Sequence, residues 1–143
     1  MVPDRPRLVQ LARDECLRLL ATDSVGRLAV VAGGAPHILV VNYALDGDAI
    51  AFRTAPGTKL DAAGRAPSCF EVDSIDRALQ VGWSVVAHGR LEEVTRFDAA
   101  TLARIALLPV DPWAGGDRGH WMRLVPSYFT GRRILDLGNL RTG

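Results

Sequence analysis

Two cations and two hydroxyls surround a Pro-Gly turn in the segment Phe52-Arg53-Thr54-Ala55-Pro56-Gly57-Thr58-Lys59-Leu60. A β-like run ends in the donors Arg53 and Thr54, and a short helix starts at Thr58 and Lys59. That order suits a phosphate or other small dianion. Arg and Lys supply charge-assisted hydrogen bonds, and free N–H groups at a helix start add partial positive charge. A solvated turn with Arg53 paired to Asp48 or Asp61 is the competing arrangement.

No other group of residues competes with this one. His37, His88 and His120 lack metal-ligand spacing. Cys16 and Cys69 are too few for a disulfide framework or a zinc cluster, and no spacing joins either to a histidine as a nucleophile pair. Asp46-Gly47-Asp48 is too short for an EF-hand loop and fits a hairpin turn. Gly57-Thr58-Lys59 lacks the upstream glycine of a Walker loop. No side-chain general acid or base is evident, so the expected catalytic set is empty.

The elements that must carry the anion site are mostly strands. Leu11–Thr22 has helical periodicity, with Ala12, Cys16, Leu17 and Leu20 on one face. Strands are expected over Gly26–Ala32, Pro36–Leu45, Ala49–Thr54, Ser68–Asp73, Leu79–Val94, His120–Val125 and Tyr128–Leu135. Gly82 and Gly89 mark bends or bulges in the fifth. Short helices are expected from Thr58 to Ala63 and after Thr95-Arg96-Phe97-Asp98, which resembles a capping box. The second would bury Phe97, Thr101, Ile105 and Leu108 on one side. Hairpins dominate, so the fold class is mainly β: a closed antiparallel barrel with flanking helices. One domain covers 1–143, with 1–10 as an N-terminal extension and 136–143 as a C-terminal tail.

The strand Pro36–Leu45 needs more cover than a barrel interior gives. His37, Leu39, Val41, Tyr43 and Leu45 form one face, and Ile38, Val40, Asn42 and Ala44 the other. Both are mainly apolar, so the outer face calls for a cofactor, a second subunit, or both. Asn42 on that face needs a partner, either a neighbouring turn or a ligand. Trp83 can serve as core or as a stacking surface; Trp113 and Trp121 read as packing residues or loop anchors.

The charge is nearly balanced, 17 basic residues against 16 acidic. That argues against broad capture of nucleic acid or of an anionic membrane. No apolar run reaches membrane-spanning length, and the start lacks a secretory pattern. A soluble, cytoplasmic protein with free thiols is expected.

Six motifs in this order resemble one family. They are Gly26-Arg27-Leu28-Ala29-Val30-Val31; Val40-Val41-Asn42-Tyr43 with Asp46-Gly47-Asp48; Phe52-Arg53-Thr54 through Gly57-Thr58-Lys59-Leu60; Phe70-Glu71-Val72-Asp73; Gly82-Trp83-Ser84-Val85-Val86 through Gly89; and Arg123-Leu124-Val125-Pro126 with Gly131-Arg132-Arg133. Together, from about Leu11 to Ile134, they resemble the flavin-binding split-barrel proteins related to pyridoxamine 5′-phosphate oxidase. The resemblance implies a six-stranded antiparallel split barrel, forming a homodimer with FMN at the subunit interface. It places Arg53, Thr54, Thr58 and Lys59 at the FMN phosphate, with Leu60 closing the same segment. Val41, Asn42 and Tyr43 fall beside the ring and ribityl chain. Trp83, Ser84 and Val85 meet the ring from the partner side, and Arg123 and Arg132 contribute from the second subunit's C-terminal segment. The implied activity is hydride transfer between a reduced nicotinamide or small organic substrate and the flavin. Sister groups hold an 8-hydroxy-5-deazaflavin or haem, and a non-catalytic carrier is the remaining alternative. The Trp-containing C-terminal motif of the true pyridoxamine phosphate oxidases is replaced here by Thr130-Gly131-Arg132-Arg133, which argues against vitamin B6 oxidation.

Overall fold

The structure, a computed structural model, describes residues 8–55, 66–95, 97–116 and 118–136. Seven strands form one antiparallel sheet: β1 (Leu8–Gln10), β2 (Val25–Ala32), β3 (Ala35–Asp46), β4 (Ala49–Thr54), β5 (Pro67–Asp76), β6 (Val81–Val94) and β7 (His120–Ile134). The order is β1-β7-β4-β3-β2-β5-β6, and β6 also pairs with β7, which closes the sheet into a barrel. The count is seven rather than the six implied by the resemblance. Six strands make the ring, and β1 adds an edge: its three residues pair with Arg132, Arg133 and Ile134, where β7 has run past β4. Leu8–Gln10, the last three residues of the expected N-terminal extension, therefore take part in the sheet.

Alternation decides what faces inward. Leu28 and Val30, Ile50 and Phe52, Phe70 and Val72, Val85 and Ala87, and Met122 and Leu124 fill the interior. Each such fully buried Leu, Ile or Phe stabilises the fold by about 1.5–3 kcal/mol. Helix α1 (Arg13–Leu20) stops one end of the barrel with Cys16, Leu19 and Leu20. It is shorter than the periodicity of Leu11–Thr22 suggests, because the Leu11 N–H donates to the Gly131 carbonyl of β7 at 2.8 Å. A Cβ on Gly131 would lie 2.6 Å from Cys16 Sγ, so that glycine lets the helix approach.

Helix α2 (Ala99–Ile105) covers the outside of β4 and β7, burying Ile105 with Ala51, Val94, Val110 and Trp121. This second cluster explains why β4 is almost wholly buried on both faces. Asp98 caps α2 without a side-chain bond, while Thr95 Oγ1 accepts the Phe97 N–H, so the expected capping box does not close. Phe97, expected inside, is 83% exposed.

The last two expected strands are one. In β7 the pairing runs Tyr128 to His88 and then Pro126 to Gly89, so Ser127 is an extra residue. Proline cannot donate to the ladder, and a bulge accommodates it. The bulge also inverts parity: Met122 and Leu124 point inward before it, and the buried Gly131 after it. The sequence pattern breaks there although the strand does not. Among the described residues no helix is long and apolar enough to cross a membrane.

Candidate functional site

The expected anion corner begins at the end of β4. Arg53 pairs with Trp121 across the β4–β7 ladder, and its guanidinium lies 5.6 Å over that indole ring. Its Nε donates to the Arg118 carbonyl at 2.9 Å. Among the described residues its two terminal nitrogens have no hydrogen-bond partner, which suits a bound oxyanion. Beside it, Thr54 is buried and its Oγ1 has no hydrogen-bond partner among the described residues. An orphaned buried hydroxyl next to a cation fits a ligand oxygen. Thr58, Lys59 and Leu60 lie outside the described residues.

On β3, Val41 packs against the interior cluster and Tyr43 lies within it. The Tyr43 hydroxyl donates to the Leu20 carbonyl at 2.5 Å, its ring meets Phe70 edge-on, and burial pushes the phenol's pKa well up. Tyr43 is thus tied to α1 and the core. Asn42 Oδ1 accepts the Trp113 N–H at 3.0 Å, which anchors the loop after α2. That leaves the amide nitrogen as the other polar group of the Asn42 side chain.

Arg123 is committed to carboxylates. It donates to Asp46 Oδ2 at 2.8 Å and to Glu92 Oε1, while Arg104 grips both oxygens of Asp46 at 2.7 and 2.9 Å. The Arg104 hydrogen bond, helped by Arg123 and opposed by burial, lowers the Asp46 pKa from 3.8 to about 2. The folded-state value lies below the unfolded one, so this stabilisation is fully present above about pH 4 and is lost as pH falls through 2. With solvent screening of exposed Arg104 allowed for, Asp46→Asn should cost about 1–2 kcal/mol at pH 7. The gap to the wild type should shrink in urea melts carried from pH 7 towards pH 2; a constant gap would show that the ion pairs are not its source.

The structure brings Trp83, Ser84 and Arg132 together. Ser84 pairs with Arg132 across the β6–β7 ladder, and all three line a cleft of about 660 Å³. Val85 is buried in the core beneath them. The cleft is also lined by Ile75 near the end of β5 and by Arg77 and Gln80 from the β5–β6 turn, residues that no spacing pattern singled out. Arg123 does not line it.

The outer face of the barrel holds a pairing that no spacing in the chain announces. Register places Cys69 opposite His88 and His88 opposite Tyr128. Cys69 Sγ lies 3.4 Å from His88 Nδ1, His88 Nε2 lies 2.9 Å from Thr130 Oγ1, and His88 stacks on Tyr128 at 4.4 Å. Neither Cys69 nor His88 lines the large cleft. Nearby, Arg27 sits 3.7 Å from both Glu71 and Asp73, and burial together with Asp73 raises the Glu71 pKa to about 7. On the same face Ile38 and Val40 are 73% and 68% exposed. Among the described residues no cluster of His, Cys, Asp and Glu could hold a metal ion.

The comparisons agree with this architecture. The family model described as pyridoxamine 5′-phosphate oxidase matches residues 12–133. The Mycobacterium tuberculosis protein Rv0080 is 31% identical over 134 residues, covering 90% of this chain and 86% of the relative. The solved FAD binding protein from Mycobacterium smegmatis is 33% identical with a TM-score of 0.74, over 87% of this chain and 96% of that one. A conserved protein of unknown function from Corynebacterium diphtheriae is 27% identical with a TM-score of 0.76, over 91% and 100%. The barrel is the split-barrel type, and the matched residues run from the start of α1 almost to the end of β7. The chain belongs to the pyridoxamine 5′-phosphate oxidase-like family.

Proposed function

We propose that the protein binds FMN between two copies of this chain and acts as an oxidoreductase. The observation that carries this reading is the separation of its candidate residues into two groups. Arg53 and Thr54 stand level with Trp121 and His120, and Trp83 and Ser84 stand level with Arg133 and Arg132. Those levels lie near opposite ends of β7, about 35 Å apart along the strand by its rise per residue. That contour is longer than a flavin mononucleotide, which favours a cofactor that draws the two groups from different subunits. The exposed Ile38 and Val40 supply apolar surface for such a contact.

In this reading Arg53, Thr54, Thr58 and Lys59 hold the phosphate, and Leu60 belongs to the same segment. The free hydroxyl of Thr54 and the open edge of the Arg53 guanidinium are the features that fit it. Asn42, through its amide nitrogen, and Ser84 offer hydrogen bonds to the polar edge of the ring. Val41 and Trp83 supply apolar surface near it and exclude water. Tyr43 and Val85 support these positions from the core. Arg123 acts at a distance, holding β7 to Asp46 and Glu92, and Arg132 faces the ring from the partner side. The bound flavin supplies hydride acceptance; the chain supplies orientation and electrostatic tuning.

The mycobacterial relative named as an FAD binding protein favours a second reading, with FAD in place of FMN. One preparation separates them. The purified protein should be yellow and dimeric in sedimentation, and should release FMN on denaturation, identified by mass. Release of FAD or of a deazaflavin would replace the cofactor assignment. A colourless monomer that takes up no added flavin would end the proposal. Bleaching of the bound flavin by a reduced nicotinamide distinguishes an enzyme from a carrier.

A further inference from the structure

One cross-strand row on the outer face holds a thiol and an imidazole that the proposed flavin site does not use. It runs from Ile38 on β3 through Ala29 on β2, Cys69 on β5 and His88 on β6 to Tyr128 on β7. Cys69 Sγ stands 3.4 Å from His88 Nδ1, and His88 Nε2 stands 2.9 Å from Thr130 Oγ1. With Thr130 Oγ1 accepting the Nε2 proton, the Nδ1 lone pair faces the thiol. Thr130 thereby fixes the tautomer that can take a proton from sulfur.

The β7 bulge is what assembles this group. Met122 and Leu124 point inward before Ser127 and Gly131 does after it, so Tyr128 and Thr130 turn outward beside His88. Unbroken alternation would send both side chains into the barrel. Tyr128 stacks on the imidazole at 4.4 Å with 6° between the planes, which holds the ring in place. Tyr128 is itself 56% exposed, so the row opens to solvent at its β7 end. Cys69 is only partly buried, whereas Cys16, the chain's other cysteine, is buried in the interior cluster, where burial pushes its thiol pKa up. The charged side chains nearest along this face are Arg27 on β2, Glu71 and Asp73 on β5, and Arg90 on β6; β3 brings the uncharged Ile38 and Val40.

We propose that Cys69 is a reactive thiol that His88 activates and that a hydroperoxide oxidises to a sulfenic acid. His88 Nδ1 takes the thiol proton, and the thiolate sulfur attacks one oxygen of the hydroperoxide. The S–O bond forms as the O–O bond breaks. Sulfur gives up two electrons, and the peroxide is reduced to an alkoxide or hydroxide that takes the proton back from Nδ1. Thiol and hydroperoxide thus become sulfenic acid and an alcohol or water. Cys16 lies on the other side of the sheet, so it cannot close a disulfide with the product. None of this depends on a bound flavin.

The purified protein, its flavin content recorded, is treated at pH 7 with hydrogen peroxide or cumene hydroperoxide while dimedone traps sulfenic acid. A parallel sample receives iodoacetamide, and peptide masses identify the modified cysteine. Cys69 should carry the label, and Cys16 should carry none until the protein is denatured. An unassisted thiol is only a few per cent thiolate at neutral pH, so His88→Gln should slow both reactions by about tenfold. Thr130→Val should lose part of the same rate. The gap between the wild type and His88→Gln should close towards about pH 10, where a thiol ionises without help. Glu71→Gln, which removes a neighbouring carboxyl held at about 7, should leave that gap in place. Labelling of Cys16 ahead of Cys69, absence of a dimedone adduct with either peroxide, or equal rates in the wild type and His88→Gln overturns the proposal. So does reaction of Cys69 only after dissociation to monomers, which would place the row inside the subunit contact.

Discussion

Arg53→Ala should release the flavin. The side chain offers a phosphate the open edge of its fork, because Nε is already held by the Arg118 carbonyl and the plane lies over Trp121. A charge-assisted hydrogen bond contributes about 1.5–3 kcal/mol, which corresponds to a tenfold to hundredfold loss of affinity. Lys59→Ala should do the same through the other cation of the segment, and Lys59 is the only lysine in the chain. The double variant should be isolated nearly colourless. Flavin bound per protomer after dialysis, with circular dichroism as a check on folding, gives the answer. Unchanged flavin affinity in both single variants would remove the phosphate from this corner. Arg53→Lys should recover only part of the loss, since an ammonium reproduces the charge but not the fork.

Gly89→Ala should cause a large loss of stability. A Cβ at Gly89 would stand 2.0 Å from the Val125 carbonyl oxygen and 2.8 Å from Pro126 Cα. Both are backbone atoms, so no side chain can rotate away. The strands must separate where β6 passes the β7 bulge, in the longest ladder of the barrel. Overpacking in a fixed interior costs about 1–3 kcal/mol, and backbone displacement places this site at the upper end. At that cost the melting temperature falls by on the order of 10 °C for a domain of this size. Thermal melts followed by circular dichroism measure it. A variant that melts with the wild type would show that Gly89 does not face Pro126 and that the bulge lies elsewhere.

The two predictions act on different parts of the molecule. Removing Arg53 changes ligand affinity through groups at the end of β4, whereas an alanine at Gly89 opens the ladder that keeps β6 and β7 in register. A Gly89 variant that folds at low temperature should still bind flavin, because Gly89 belongs to neither group of candidate site residues.

Much of the barrel was legible in the residues. Alternation along Gly26–Ala32, Pro36–Leu45 and Ala49–Thr54 reports strand facing directly, because side chains of a strand point to opposite sides in turn. Those strands, α1 and the Asp46-Gly47-Asp48 turn stand within a few residues of their expected places. The pairing of a cation with a hydroxyl at Arg53-Thr54 was also visible, since it depends only on neighbours in the chain. Long-range commitments were not. Arg123 looks free in the sequence, yet it is bound to Asp46 at a separation of 77 residues. Cys69 and His88 meet because two strands share a register, and register is a property of the pair. β1 exists because β7 outruns β4 and leaves an edge to be paired. β7 itself looked like two strands because its bulge inverts the alternation. Arg77 and Arg132 share a cleft only after the barrel closes. The residues alone therefore determined which segments are strands and which local chemistry they carry. Tertiary structure decided which charges are already neutralised and which remain for a ligand, because that depends on neighbours that only closure brings within reach.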